Sequence, residues 1–216
     1  MVYTDAKAVR LLTHLTTSDI SNTDVFSIIA EAIVELNRLI NVKVIRERVE
    51  YIDETRPNEV NGSNTTYYVK NWRGKYLADM DNDGDVDTSD PITDIIVYLV
   101  DSNGTETTAT VSTLDVDNCQ FVLSSAPGSD KKVYVTYEWC YRNPNTPDPL
   151  IKLACTNLAT AYCYAKINWG RPPQERWGNI SIYRHMDAFR NYYDRAIKLV
   201  NQINESHIGM AESEEI

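Results

Sequence analysis

Residues 25–53 read VFSIIAEAIVELNRLINVKVIRERVEYID, and the period of the apolar side chains changes partway along. Up to residue 40, Val25, Ile29, Ala32, Leu36 and Ile40 recur at steps of three and four. That is one face of an amphipathic helix. From about Val44 the period becomes two, with Ile45, Val49 and Tyr51 on one face and charges on much of the other. This predicts a strand with one side in water. A chain that passes from helix to strand in this way is of mixed, α+β character.

Working outward, DAKAVRLLTHL has the composition of a short helix, and SNTD supplies polar caps before residue 25. Beyond residue 53 come turn-forming stretches: RPNEVNGSN, an aspartate-rich run, DSNGTET and APGSDKK. Between them lie TYYVKN, DIIVYLVD, TTATVST, CQFVLSS and KVYVTYEW, short and rich in Val, Ile, Thr, Tyr and Phe. These read as antiparallel strands. RNPNTPDP interrupts regular structure with three prolines. Helix then returns in LIKLACTNLATAYCYAKI, whose polar stripe (Lys152, Thr156, Thr160) is narrow enough to predict burial around most of its circumference. After the break NWGRPPQERWGN, the residues Ile182, Met186, Phe189, Tyr193, Ala196, Val200 and Ile203 step four and three in alternation. Such a seam packs on another helix, of the same chain or a neighbour. The expected architecture is a bundle of N-terminal helices (1–43) and C-terminal helices (150–204), an inserted antiparallel β-rich domain (44–142), and a mobile acidic tail (205–216).

The aspartate run, residues 79–90, reads DMDNDGDVDTSD. An EF-hand loop places oxygen ligands at positions 1, 3, 5, 7, 9 and 12, with glycine at 6. Counting from Asp79, these fall on Asp79, Asp81, Asp83, Asp85 (through its backbone carbonyl), Asp87 and Asp90, with Gly84 at 6 and the apolar Val86 at 8. A hard dication takes six to eight oxygens, and the uncompensated carboxylates would repel one another. The loop also resembles the calcium loops of dockerin modules, which end in aspartate. Strand-like sequence flanks it where an EF-hand has helices. Calcium as a structural staple of a long loop is the expectation; the bland alternative is a solvated acidic turn.

Bulk properties narrow the function classes. A net charge of −10 over 216 residues argues against a broad phosphate-binding surface. The sequence shows no leader of charged then apolar residues and no apolar run long enough to span a bilayer, so the expectation is a soluble protein without membrane partners. Cys119, Cys140, Cys155 and Cys163 form no C-x-x-C pair, and His14, His185 and His207 have no ligand spacing. Nucleophile-elbow, phosphate-loop and dinucleotide fingerprints are missing, so no enzymatic activity is expected. Trp169, Arg171, Arg176 and Trp177 fall in one stretch, and Trp and Arg are residue types that anchor interfaces. With Ile182, Phe189, Tyr193 and Val200 of the seam they make the candidate interface set.

The order of elements resembles one family. Two N-terminal helices with VFSIIAEAIVELNRLI, a β insertion closing with APGSDKKVYVTYEW, a proline break and DPLIKLACTNLATAYCYAK are similar to the head-tail connector proteins (adaptor or head-completion proteins) of tailed phages and archaeal tailed viruses. That resemblance implies a structural virion protein, assembled in the host cytoplasm and placed in the neck between capsid and tail. It implies a homo-oligomeric, dodecameric ring under the portal protein, contacts with tail or neck proteins, and passage of genomic DNA without specific binding. It also implies portal contact by the last helix and the residues after Asn204. The competing reading is a calcium-dependent carbohydrate- or protein-binding module.

Overall fold

The computed structural model describes residues 3–49, 58–71, 73–88, 94–145, 148–168, 174–177, 180–183 and 186–205, with backbone only at 168, 174–177, 180–183 and 186. The chain is α+β, and the paired strands run antiparallel. It divides into two compact units: Ile40–Thr146, and Val2–Leu39 together with Pro147–Ile216.

In the first unit, β1 (Val42–Val49), β8 (Lys132–Cys140), β4 (Ile95–Val100) and β5 (Glu106–Ala109) pair in that order, and β3 (Tyr76–Leu77) also pairs with β8. A second sheet has the order β2 (Thr66–Tyr68), β7 (Gln120–Leu123), β6 (Val111–Asp115). The two sheets share one core. On β8 the alternate residues Val133, Val135 and Tyr137 are fully buried, and they join Val97 and Ile95 with Tyr67, Phe121 and Leu123 of the second sheet. Tyr67 and Phe121 face each other in the β2–β7 register and stack at 5.7 Å. Offset aromatic pairs of this kind add to the burial of their surface.

β1 departs from the alternation expected of it. Val44 pairs with Tyr137 but Glu47 pairs with Val135, so β1 carries one residue more than its partner. This bulge puts Arg46 at φ 55° and shifts the phase of the strand. Val44 and Val49 therefore both meet the core, while Ile45 is 68% exposed. The expectation that Ile45 and Val49 share a face is corrected by that single inserted residue; Tyr51 lies outside the described residues. The backbone N–H of Arg46 donates to Thr136 Oγ1 at 3.1 Å. Its guanidinium pairs with Glu106 and lies over the rings of Tyr98 and Tyr134. The side chain thus holds the bulge across four neighbouring strands.

The second unit holds α1 (Ala6–Thr13), α2 (Asn22–Ile40, which reaches one residue into the first unit), α3 (Pro149–Asn168) and α4 (Met186–Glu205). Asp5 caps α1 by accepting from Ala8 N, and His14 ends it in the left-handed conformation. Ser21 caps α2: its Oγ accepts from Asp24 N at 3.1 Å and donates to Asp24 Oδ2 at 2.8 Å. Arg10 donates to Leu15 O, Ile20 O and Asn22 Oδ1, which fixes the connection between these two helices. Asp148 caps α3 by accepting from Leu150 N, and Pro149 takes the first helical position, where its missing N–H costs nothing. α3 is buried from Ala154 through Ala161 without a break, so it is the central element of this unit. α1 and α4 both pack against it. Tyr164 donates to Thr13 O and stacks on Tyr192, which donates to Leu12 O.

The seam of the last helix is shorter than its sequence pattern. Ile182 lies on strand β10 (Ile180–Tyr183), which pairs with β9 (Gln174–Trp177), and α4 begins at Met186. The step of four from 182 to 186 matches a helix by coincidence; the β-branched, alternating sequence of residues 180–183 favours a strand. Within α4, Ala196, Val200 and Ile203 are buried. Among the described residues no helix is long and apolar enough to cross a membrane.

Candidate metal centre

The aspartate loop begins and ends on one edge of one strand. β3 pairs Leu77 with Trp139, Ala78 N donates to Glu138 O at 2.9 Å, and β4 resumes by pairing Ile95 with Tyr137. β1 occupies the opposite edge of β8. The chain therefore leaves the β8 edge after Ala78 and rejoins it at the next ladder position. Strands, not helices, frame the loop.

Its first half converges on Asp79, which is fully buried. Asp79 Oδ1 accepts from Asn82 N at 2.6 Å and Oδ2 from Gly84 N at 2.9 Å. Asp81 Oδ1 accepts from Asp83 N, and Asp83 Oδ1 from Asp85 N. These Asx turns curl the backbone and bring the side chains together. Asp79, Asp81 and Asp83 each offer a carboxylate oxygen, and all three oxygens lie within 4.8 Å of one another. Calcium–oxygen distances are roughly 2.4 Å, so oxygens up to about 4.8 Å apart can touch one ion. Three hard oxygen donors of formal charge −3, from buried Asp79 to exposed Asp83, could hold a metal ion.

The surrounding groups hold that arrangement from outside. Asp94, 3% exposed, accepts from Met80 N at 2.6 Å, Asp87 N at 2.8 Å and Asp81 N at 3.4 Å. Val86 is buried in the β core, and Asn145 clasps its backbone in both directions, accepting from Val86 N at 2.7 Å and donating to Val86 O at 2.8 Å. Asn41 Nδ2 donates to Asp79 O. Burial raises the Asp81 carboxyl to about 6, against the opposing N–H of Asp83, with the charges of Asp83 and Asp79 adding to the rise. Burial likewise raises Asp94 to about 7, opposed by its backbone N–H partners and reinforced by Asp81 and Asp79. A bound cation would oppose both effects.

The structure brings together Asp79, Asp81 and Asp83 from the expected ligand set. The carboxylates of Asp85 and Asp87 are outside the cluster. Asp87 N is held by Asp94, and Asp90 lies outside the described residues. Sequence reading missed Asp94, Asn145 and Asn41. Asp94 had a faint signal, an acid directly before the apolar run IIVYLV; the two asparagines had none.

The other candidates are spread out. Trp169 and Arg171 lie outside the described residues, as do His185 and His207. Arg176 and Trp177 belong to β9 and pair with Ser181 and Ile180 of β10, so the stretch expected as a loop is partly strand. Phe189 and Tyr193 are half-buried and stack at 5.7 Å, and Val200 is buried within its unit. All four cysteines are buried, and none of them forms a disulfide. Burial pushes Cys140 and Cys155 up to about 12 and Cys163 to about 11, which makes them poor nucleophiles.

No protein-family model matches this chain, and no curated protein matches it.

Proposed function

We propose that the chain is a structural virion protein, a head-tail adaptor that docks on a portal protein and joins capsid to tail. It forms a dodecameric ring with copies of itself, leaves a channel for genomic DNA, and acts through protein contacts, not catalysis. The observation that carries this reading is the division of the chain. Helices from both of its ends make one unit, and the intervening residues 40–146 make another. The same order of elements underlies the resemblance to head-tail connectors. In this reading the four helices are the bundle that meets neighbouring copies and the portal. The net charge of −10 suits a passage through which DNA slides without sticking.

The aspartate loop is, in this reading, an EF-hand-like calcium site without the usual helices. Its ends are pinned to adjacent positions on β8, so a cation joining Asp79, Asp81 and Asp83 stiffens the excursion and does no chemistry. Calcium fits better than a transition metal because the clustered donors are all carboxylate oxygens.

Co-sedimentation with the portal protein encoded in the same genome, with and without chelator, tests the proposal. Saturable binding at one subunit per portal subunit, insensitive to chelation, is expected. Absence of binding in both conditions would remove the adaptor reading. The acidic cluster would then favour the second reading, a calcium-dependent carbohydrate- or protein-binding module, to be tested by glycan binding in calcium.

A further inference from the structure

In the helical unit, α3 separates two different surfaces. Leu153 and Asn157 precede Tyr162 and Lys166 by nine residues each, which puts the two pairs half a turn apart at 3.6 residues per turn. On the side of Leu153, a groove of about 300 Å³ opens where α1, α3 and α4 meet. Leu12, Leu153 and Leu199 line it, with Arg195 and Lys198 beside them. Leu153 is 46% exposed, and among the described residues neither cation forms an ion pair. On the side of Tyr162 lies α2, whose Ser27, Ile28 and Glu31 share a cleft with Tyr162 and Lys166. The outer surface of α2 carries Phe26, Ala30 and Val34 at steps of four. This stripe is about 12 Å long at 1.5 Å per residue. Phe26 is 61% and Val34 48% exposed, whereas Val25 and Ile33 beside them are buried. Asp24 is paired with Lys166 and Glu35 with Arg38, but exposed Glu31 has no ion-pair partner among the described residues.

We infer that the α2 stripe of one copy docks in the α1–α3–α4 groove of a second copy. The two surfaces are complementary in chemistry. An apolar strip beside an acid without a partner meets an apolar groove beside two cations without ion pairs. Phe26 and Val34 cover Leu153 and Leu199, and burial of that exposed apolar surface drives the contact. Glu31 meets Lys198 and Arg195, and this pairing sets the register. The like-with-like alternatives are disfavoured: stripe on stripe sets Glu31 against its own copy, and groove on groove sets cations against cations. Because the stripe and the groove lie on opposite sides of α3, the contact is head-to-tail. Each copy added leaves one surface of each kind open, so growth continues until a ring closes. The inference rests on the self-assembly in the proposed function and names the surfaces that carry it.

Sedimentation velocity of the full chain at low salt, over a wide range of concentration, tests this with variants that each spoil one surface. Phe26→Asp spoils the stripe and Leu153→Asp the groove, both at exposed positions, with helix content checked by circular dichroism. The wild type should self-associate, and each variant alone should do so at least about tenfold more weakly. Mixed in equal amounts, the two variants should form a dimer and grow no further, because each such pair holds one intact stripe and one intact groove. Glu31→Lys should weaken assembly, and adding Arg195→Glu with Lys198→Glu in the same chain should restore it. A wild type that is monomeric at every concentration, variants that assemble like the wild type, or a mixture that stays monomeric would overturn the inference. Portal co-sedimentation separates it from the adaptor reading. A mixture that pairs, from a wild type that does not bind the portal, removes the adaptor reading and keeps this contact; portal binding with a monomeric mixture does the reverse.

Discussion

At the residue scale, the alternation Asp79-x-Asp81-x-Asp83 with Gly84 was legible because ligand spacing is a local property of the chain. Asn145 was not. It clasps Val86 from 59 positions away, and nothing near either residue announces the contact. Replacing it shows what it holds. Asn145→Ala leaves the N–H and C=O of buried Val86 without these partners, and we expect a loss of about 1–3 kcal/mol in urea unfolding. Gly84 has φ 103° and donates its N–H to Asp79 Oδ2. Gly84→Ala forces a side chain into that region at a cost of about 1–2 kcal/mol. The variant should bind calcium more weakly in a calorimetric titration and melt earlier. A variant with wild-type affinity would mean that this turn does not shape the site.

At the element scale, type and order were legible where the period was clean, as in α2 and β8. They failed where one residue changed the phase. The bulge at Arg46 turns Ile45 outward, and it depends on Thr136 and Glu106, far along the chain. The β10 strand was absorbed into a helical seam because one step of four fits both patterns. The loop between β3 and β4 should carry a pH response through Asp81 and Asp94. In the cation-free protein Asp81 and Asp94 rise to about 6 and about 7, above the ordinary value near 4. The folded state then binds these protons more tightly than the unfolded chain. Their stabilising contribution is complete below about pH 4 and is lost as pH rises through about 6 to 7. In chelator, the urea midpoint should therefore fall between about pH 5 and pH 8, and saturating calcium should reduce that fall. A midpoint that rises over this interval in chelator would show that these carboxyls are not the groups setting it.

At the scale of the whole molecule, each unit has its own core, and perturbations should divide accordingly. Leu158 is fully buried on α3. Leu158→Ala should cost about 2–5 kcal/mol in unfolding while leaving calcium affinity unchanged. The two-unit division follows from where helical and strand periods begin and end, which is why it can be traced in sequence. Which groups face each other inside a unit cannot, because long-range packing sets it. The central question is whether the aspartate loop is a cation staple in a structural protein. The most direct measurement is a calcium titration of chelator-stripped, full-length protein by calorimetry, with thermal unfolding of the same samples and Asp81→Asn in parallel. We predict one saturable site. Calcium at about a hundred times its Kd should add about 2.7 kcal/mol and raise Tm by roughly 5–10 °C. Asp81→Asn should lose both responses. No binding heat and no shift of Tm in the wild type would contradict the account and leave the loop as an acidic turn.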